Sequence, residues 1–223
     1  MPGPVAILGG TGQLGFGLAL RLAHAGTGVI IGSRDAARAE EAAHRALGAV
    51  PGGDIRGLAN DEATAAAAQV VVLAVPFSSQ AATLKGLAEV LREDQIVLDA
   101  TVPLAPAIGG KPTQLVGVWQ GSAAQQAQSL VPKGVRVVSG LHTLSADLLA
   151  DLEHPLDQDT LICGDRKADK QVVIELLSVI DGLRAVDGGR LEQSRIAESL
   201  TAMLIGVNIR HKTHAGIRIT GIE

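Results

Sequence analysis

The feature that most constrains this chain is the stretch Leu8-Gly-Gly-Thr-Gly-Gln-Leu-Gly-Phe-Gly17, a run of glycines between two regular segments. It follows a compact apolar run, Val5-Ala-Ile-Leu8, and leads into Gln13 to Ala25, where Leu14, Leu18, Leu22 and Ala25 mark one helical face. Within it, Gly10-Thr11-Gly12-Gln13-Leu14-Gly15 has the spacing G-x-G-x-x-G. In a nucleotide-binding turn, the first glycine allows the tight reversal and the second lets a pyrophosphate approach the backbone. The third lets the helix pack closely on the strand, so that free N–H groups and the positive end of the helix dipole face the phosphates. Alone the pattern is weak, and a purely structural glycine turn is the bland alternative. Its place after an apolar strand and before a helix is the context the mechanism requires.

The segments that follow keep the same rhythm. Val29-Ile-Ile31 reads as a strand, Asp35 to Leu47 as a helix and Ile55 to Leu58 as a weaker strand. Val70 to Val75 and Gln95 to Asp99 read as strands separated by a helix around Ser79 to Leu91. Continuous apolar strands alternating with helices predict a parallel sheet covered on both faces, a doubly wound α/β fold of Rossmann type. After Asp99 comes a Pro/Gly-rich connection, then a helix near Ser122 to Leu130 and a strand from Val135 to Ser139. Beyond about residue 145 a short helix, a strand ending at Cys163 and helices over Asp169–Ile180 and Leu191–His211 predict a smaller α/β part. The expected division is residues 1–144 and residues 145–223.

Composition removes several function classes. The net charge is −4, with 19 Lys and Arg against 23 Asp and Glu, and aromatic residues are 1% of the chain. Neither a global basic field nor a set of stacking rings is present to recruit nucleic acid. The most apolar run, Ala63 to Phe77, is interrupted by Gln69 and Pro76 and is too short to span a bilayer. The N-terminal residues lack a basic region, so a cytoplasmic location is expected. Cys163, the single cysteine, lies in an apolar run and reads as inert core before it reads as a reactive thiol. The six histidines show no metal-ligand cluster, so no metal is expected.

The tip of the second strand selects the nucleotide. NAD-binding versions carry an acid about 20 residues beyond the glycines to hold the ribose 2′-hydroxyl. Here the tip reads Gly32-Ser33-Arg34, with Arg38 one helical turn further. A hydroxyl and guanidinium groups suit a 2′-phosphate, which Arg grips through two N–H groups. Asp35 reads as a helix cap. The bland alternative for Arg34 and Arg38 is a solvated helix face; the strand-tip position favours NADP.

Taken together, these residues resemble the NADPH-dependent reductases of the deazaflavin coenzyme F420. The resemblance runs from Ile7 to Leu22 through Gly32-Ser-Arg34, Val75-Pro76, Val102-Pro103, Leu141-His-Thr143, Cys163-Gly-Asp165 and Ile180-Asp-Gly-Leu183. It ends at Ser194-Arg195 and Glu198-Ser-Leu-Thr201. It implies reversible hydride exchange between NADP(H) and coenzyme F420. It also implies that Thr11, Gly12, Gln13 and Leu14 line the pyrophosphate and that Ser33, Arg34 and Arg38 hold the 2′-phosphate. Val75, Ser79, Val102 and Ala146 would contact the rest of NADP, and the segment around Ala215 would contact the deazaflavin. Residues 1–144 would then bind NADP while residues 145–223 close the deazaflavin pocket.

Both cofactors carry their own reacting carbons, so no catalytic triad is expected. His142, in Gly-Leu-His-Thr-Leu144, is the best polar candidate beside the rings; a histidine bonded to loop backbone is the equal alternative. Arg210, Lys212 and Arg218 form a local basic patch that could receive the phosphate and glutamyl tail of F420, though ordinary cations at a helix C-terminus are the reading that stands ahead. The stripe Ile196, Leu200, Met203, Leu204 and Val207 reads first as core and second as a homo-oligomer interface. Two other functions remain open on sequence alone: an NADP-binding redox sensor without turnover, and a reductase of a small imine or ketone. The latter normally wants a proton donor, and the chain has no Tyr.

Overall fold

The computed structural model describes residues 3–222. One sheet organises them, in the order β3-β2-β1-β4-β5-β6-β7-β8. Its strands are β1 (Val5–Leu8), β2 (Val29–Ser33), β3 (Ile55–Ala59), β4 (Val70–Leu73), β5 (Ile96–Asp99), β6 (Arg136–Ser139), β7 (Gln158–Cys163) and β8 (Leu183–Gly189). The crossovers are α1 (Gln13–His24), α2 (Ala36–Ala49), α3 (Asn60–Ala66), α4 (Phe77–Gly86) and α5 (Ala123–Leu130). Later in the chain come α6 (Ala146–Ala150), α7 (Lys167–Leu177) and α8 (Ser194–His211). The first six strands in spatial order pair in parallel, and β6 meets β7 antiparallel through Ser139 and Cys163. This is the doubly wound α/β class read from the sequence, and the sheet passes residue 145 without interruption.

Strand alternation builds two cores. Val5, Ile7, Val29, Ile31, Val72 and Leu98 face one way, against α1, α2 and α7. Ala6, Leu8, Ile30, Val71, Leu73 and Val97 face the other, with residues of α3, α4 and α5. Burial on both faces explains why these strands carry no polar alternation.

Several boundaries differ from expectation for local reasons. The helix expected over Ser79–Leu91 occupies Phe77–Gly86, with Pro76 at its N-cap. That expected over Asp169–Ile180 occupies Lys167–Leu177, and Leu191–Gln193 forms a separate tight turn before α8. Residues Asn60–Ala66 and Leu183–Gly189 form α3 and β8, neither of which was expected. Among the described residues, no helix is long and apolar enough to cross a membrane. Cys163 is buried and burial raises its thiol pKa, which suits the inert reading.

The stripe on α8 is not core. Ile196 and Met203 are 52% and 53% exposed, and Leu200 and Val207 are half-buried; only Leu204 of the expected set is buried. The inward face instead carries Ser194, Ala197 and Glu198.

Candidate functional site

The chain order reverses between β1 and β4, so the loops that leave their carboxyl ends part and open a crevice. The left-handed residue of the glycine turn is Gly9, at φ 78°, one position before the spaced motif; a Cβ there would lie 2.6 Å from the carbonyl oxygen of Ala74. Gly15 is tight for another reason, since its Cβ would stand 2.7 Å from the carbonyl oxygen of Gly9. The third glycine therefore lets α1 sit on the turn. Gly12 is the N-cap of α1 and offers no side chain, and the first turn of the helix contains no acid. Its opening amides are left for an anion.

A cleft of about 480 Å³ lies over this turn; its lining includes Thr11, Gly12, Ser33, Arg34, Arg38, Val75 and Ser79, with the acid Asp35 among them. Seven sequence-predicted residues from three separate loops thus meet in one place. Gln13 and Leu14 continue the same turn into α1, while Gly10 and Gly15 pack beneath it. Ser33 ends β2 with its hydroxyl accepting the amide of Asp35 at 3.2 Å. The Asp35 carboxylate accepts the amides of Ala37 and Arg38, which makes it the cap of α2. Arg34 and Arg38 are exposed beside it.

Asn60, at the start of α3, also lines the cleft and its neighbouring recess, and its buried Oδ1 has no partner among the described residues. The sequence contained no signal for it, because its place depends on β3 lying beside β2.

Val102 and Ala146 lie outside this cleft. Val102 is half-buried just beyond β5. Ala146 opens α6, which packs so closely on α1 that a Cβ on Gly17 would lie 2.7 Å from Leu149 Cβ and 3.2 Å from the Ala146 carbonyl oxygen. Ala215 is brought near Ala146 by its neighbour: His214 Nδ1 lies 3.3 Å from both Ser145 Oγ and Asp147 Oδ2. The Ala215 amide donates to Asn208 Oδ1 at 2.7 Å, folding the tail back on α8.

His142 is 6% exposed, and neither ring nitrogen has a partner among the described residues. The backbone-bonded alternative is therefore not what the fold contains. Burial pushes its pKa down to about 4, so the ring is neutral near pH 7. The loop that carries it is held on two sides. Leu141, a non-glycine residue at φ 71°, donates its amide to Thr160 Oγ1 at 2.8 Å. Thr143 Oγ1 donates to the Asp159 carbonyl, and Thr201 Oγ1 donates to the carbonyl of His142 itself, each at 2.8 Å. A left-handed Leu persists only where surrounding contacts over-determine it.

The basic patch at the C-terminus is only partly available. Arg218 pairs with Asp157 at 2.8 Å and with buried Asp159 at 3.3 Å, so it anchors the tail to β7. Arg184 grips the other side of Asp159 at 2.7 Å. These bonds hold the Asp159 carboxyl below the usual range.

Comparison with known proteins agrees with this architecture. Residues 4–103 match the family model described as NADP oxidoreductase, coenzyme F420-dependent. The F420-dependent NADP reductase of Methanocaldococcus jannaschii is 46% identical over 98% of this chain and 99% of its own length. That of Methanothermobacter thermautotrophicus is 44% identical over 98% of this chain and 95% of its own. A crystal structure from Arthrobacter sp. FB24, assigned as an F420-dependent NADP-reductase, superposes with a TM-score of 0.81 at 28% identity, covering 97% of this chain and 98% of that one. The chain belongs to the family of coenzyme F420-dependent NADP oxidoreductases.

Proposed function

We propose that this protein transfers a hydride reversibly between NADP(H) and the deazaflavin coenzyme F420, the activity in the names of its relatives. The observation that carries the nucleotide half is the pair Arg34 and Arg38 lining the cleft opposite Thr11 and Gly12, while the nearby carboxylate of Asp35 is engaged with helix amides. Two guanidinium groups and the Ser33 hydroxyl fit a 2′-phosphate, and Asp35, which also lines the cleft, has its carboxylate held by the amides of Ala37 and Arg38. The uncapped start of α1 fits the pyrophosphate, at Thr11, Gly12, Gln13 and Leu14. Val75, Ser79, Val102 and Ala146 take the remaining length of NADP.

On the deazaflavin side, neutral, buried His142, whose ring nitrogens have no partner among the described residues, fits a polar atom of the ring system. Ala215, on the folded-back tail, contributes apolar wall. Residues 1–144 supply the NADP contacts apart from Ala146, and residues 145–223 close the second pocket beside His142. When bound, the two cofactors supply both reacting carbons, so the hydride passes between rings without a covalent step on the chain. The chain's own residues bind, orient and exclude water. The outward stripe Ile196, Leu200, Met203 and Val207 on α8 suits packing of further copies, and the working form is a cytoplasmic homo-oligomer.

Mixing NADPH and coenzyme F420 with catalytic amounts of protein tests the reading. Loss of the visible deazaflavin absorbance supports it. Tight NADP binding with unchanged absorbance refutes it and favours a sensor.

A further inference from the structure

The inward face of α8 bears a polar stripe at Ser194, Glu198 and Thr201, one helical turn apart each time, where an apolar seam is the ordinary arrangement. Each residue reaches a different element at the carboxyl edge of the sheet. Ser194 Oγ lies 2.7 Å from Ser139 Oγ, at the end of β6. Thr201 donates to the carbonyl of His142. Glu198 lies between them, 2% exposed, and accepts the amides of Ala123 and Ala124 at 2.9 and 3.1 Å. Ser122 Oγ accepts the amide of Gln125, so the carboxylate completes the capping of α5 from a neighbouring helix.

The same first turn of α5 is gripped from its other side. Gln80 Nε2 donates to Thr101 Oγ1 at 2.7 Å and to the Ala123 carbonyl at 3.0 Å, and lies 3.2 Å from Asp99 Oδ2. Gln80 follows Ser79, and Thr101 precedes Val102, both assigned above to NADP. Gln80, Asp99, Thr101, Ser139, Ser194 and Glu198 are each 2% exposed or less. A buried polar network joined this way is rigid when every member is satisfied and costly when one is lost.

We propose that Glu198 is a positioning residue for hydride transfer: by clamping α5 from α8 it fixes the His142 loop, which α8 holds through Thr201, against the Ser79 and Val102 walls. Glu198 touches neither cofactor and acts through the amides of Ala123 and Ala124. This inference rests on the function proposed above. Its consequence is a selective one, because the glycine turn and the Arg34 pocket do not depend on α8 while the His142 loop does.

The test is steady-state kinetics of Glu198→Gln on the alkaline side of neutrality. This change keeps side-chain volume but turns a donor onto an amide that needs an acceptor. The KM for coenzyme F420 is expected to rise about tenfold, the loss of one charge-assisted hydrogen bond, while the KM for NADPH stays within about twofold. Thr201→Val, which keeps the side-chain shape and removes only the bond to His142, is expected to move the deazaflavin KM in the same direction and supplies the measurement should Glu198→Gln not fold. A deazaflavin KM left unchanged by a folded variant overturns the inference, as does an equal rise in both KM values with a fall in Tm. If the wild-type protein does not reduce coenzyme F420 at all, the functional reading itself fails and the inference falls with it.

Discussion

Asp35 turns its carboxylate onto the amide of Ala37, 3.0 Å away, and so caps α2 with the one acid that stands at the tip of β2. An acid at this tip can hold a ribose hydroxyl; one committed to a helix cap leaves the field to its neighbours Arg34 and Arg38. Arg34→Ala is therefore expected to raise the KM for NADPH and to cut the preference for NADPH over NADH by about tenfold or more, the worth of a bidentate phosphate contact. Comparing kcat/KM for the two nucleotides reads this directly. An unchanged preference contradicts the assignment of the pocket to a 2′-phosphate.

Asp35→Ala separates capping from selection. Losing an N-cap costs about 1 kcal/mol, so chemical denaturation should show that loss in stability. The preference for NADPH over NADH should survive. A shift toward NADH on this substitution is excluded by the cap role, since the variant removes an acid without removing either guanidinium.

His142→Ala is expected to weaken the deazaflavin more than NADPH, because the ring nitrogens have no partner among the described residues. Binding titrations with each cofactor alone make the comparison. Equal weakening, or none, argues that the ring is only packing. The same residue has a stability signature. Its folded pKa is depressed to about 4, so its contribution is present above its unfolded pKa of about 6.5 and is lost as the pH falls toward 4.

Asp99 and Glu198 have the opposite sign. Burial pushes both up to about 7, the charge of Asp99 adding to the rise at Glu198. A carboxyl whose folded pKa exceeds its unfolded value of about 4 stabilises most at acid pH and loses that contribution as the pH rises through about 7. Melting temperatures of wild type and Asp99→Asn, compared across this window, isolate the Asp99 share from the opposing His142 share. The wild type should lose stability relative to the variant as the pH rises; parallel curves contradict the burial argument.

The first half of the site was legible because its determinants are local. The glycine spacing, the strand before it and Ser33-Arg34 at the next strand tip all lie within a few residues of the cleft they line. Asn60 was not legible, since only the pairing of β3 with β2 brings it to the cleft. β8 was missed because Leu183-Arg-Ala-Val-Asp-Gly-Gly189 has neither an apolar run nor clean alternation, and β7 supplies its pairing. The seven-residue α3 was hidden in an Ala-rich stretch running into β4. On α8 periodicity gave the helix but misassigned its faces. Ile196 and Met203 point outward, while the inward side shares Leu204 with Ser194, Glu198 and Thr201, whose hydrogen-bond partners lie far away in the chain. Arg218, which looked free to meet an anionic tail, is bound by Asp157 and Asp159, a pairing that only β7 and the folded tail create.

The central claim is direct hydride transfer between two rings in a site that keeps water out. NADPH deuterated at its reacting carbon, mixed with coenzyme F420 and this protein in ordinary water, tests it most directly by mass spectrometry of the reduced deazaflavin. Deuterium retained in the reduced deazaflavin, with the label delivered from only one face of the nicotinamide, is the predicted result. A reduced deazaflavin carrying solvent hydrogen at that position, whichever face is labelled, would contradict it.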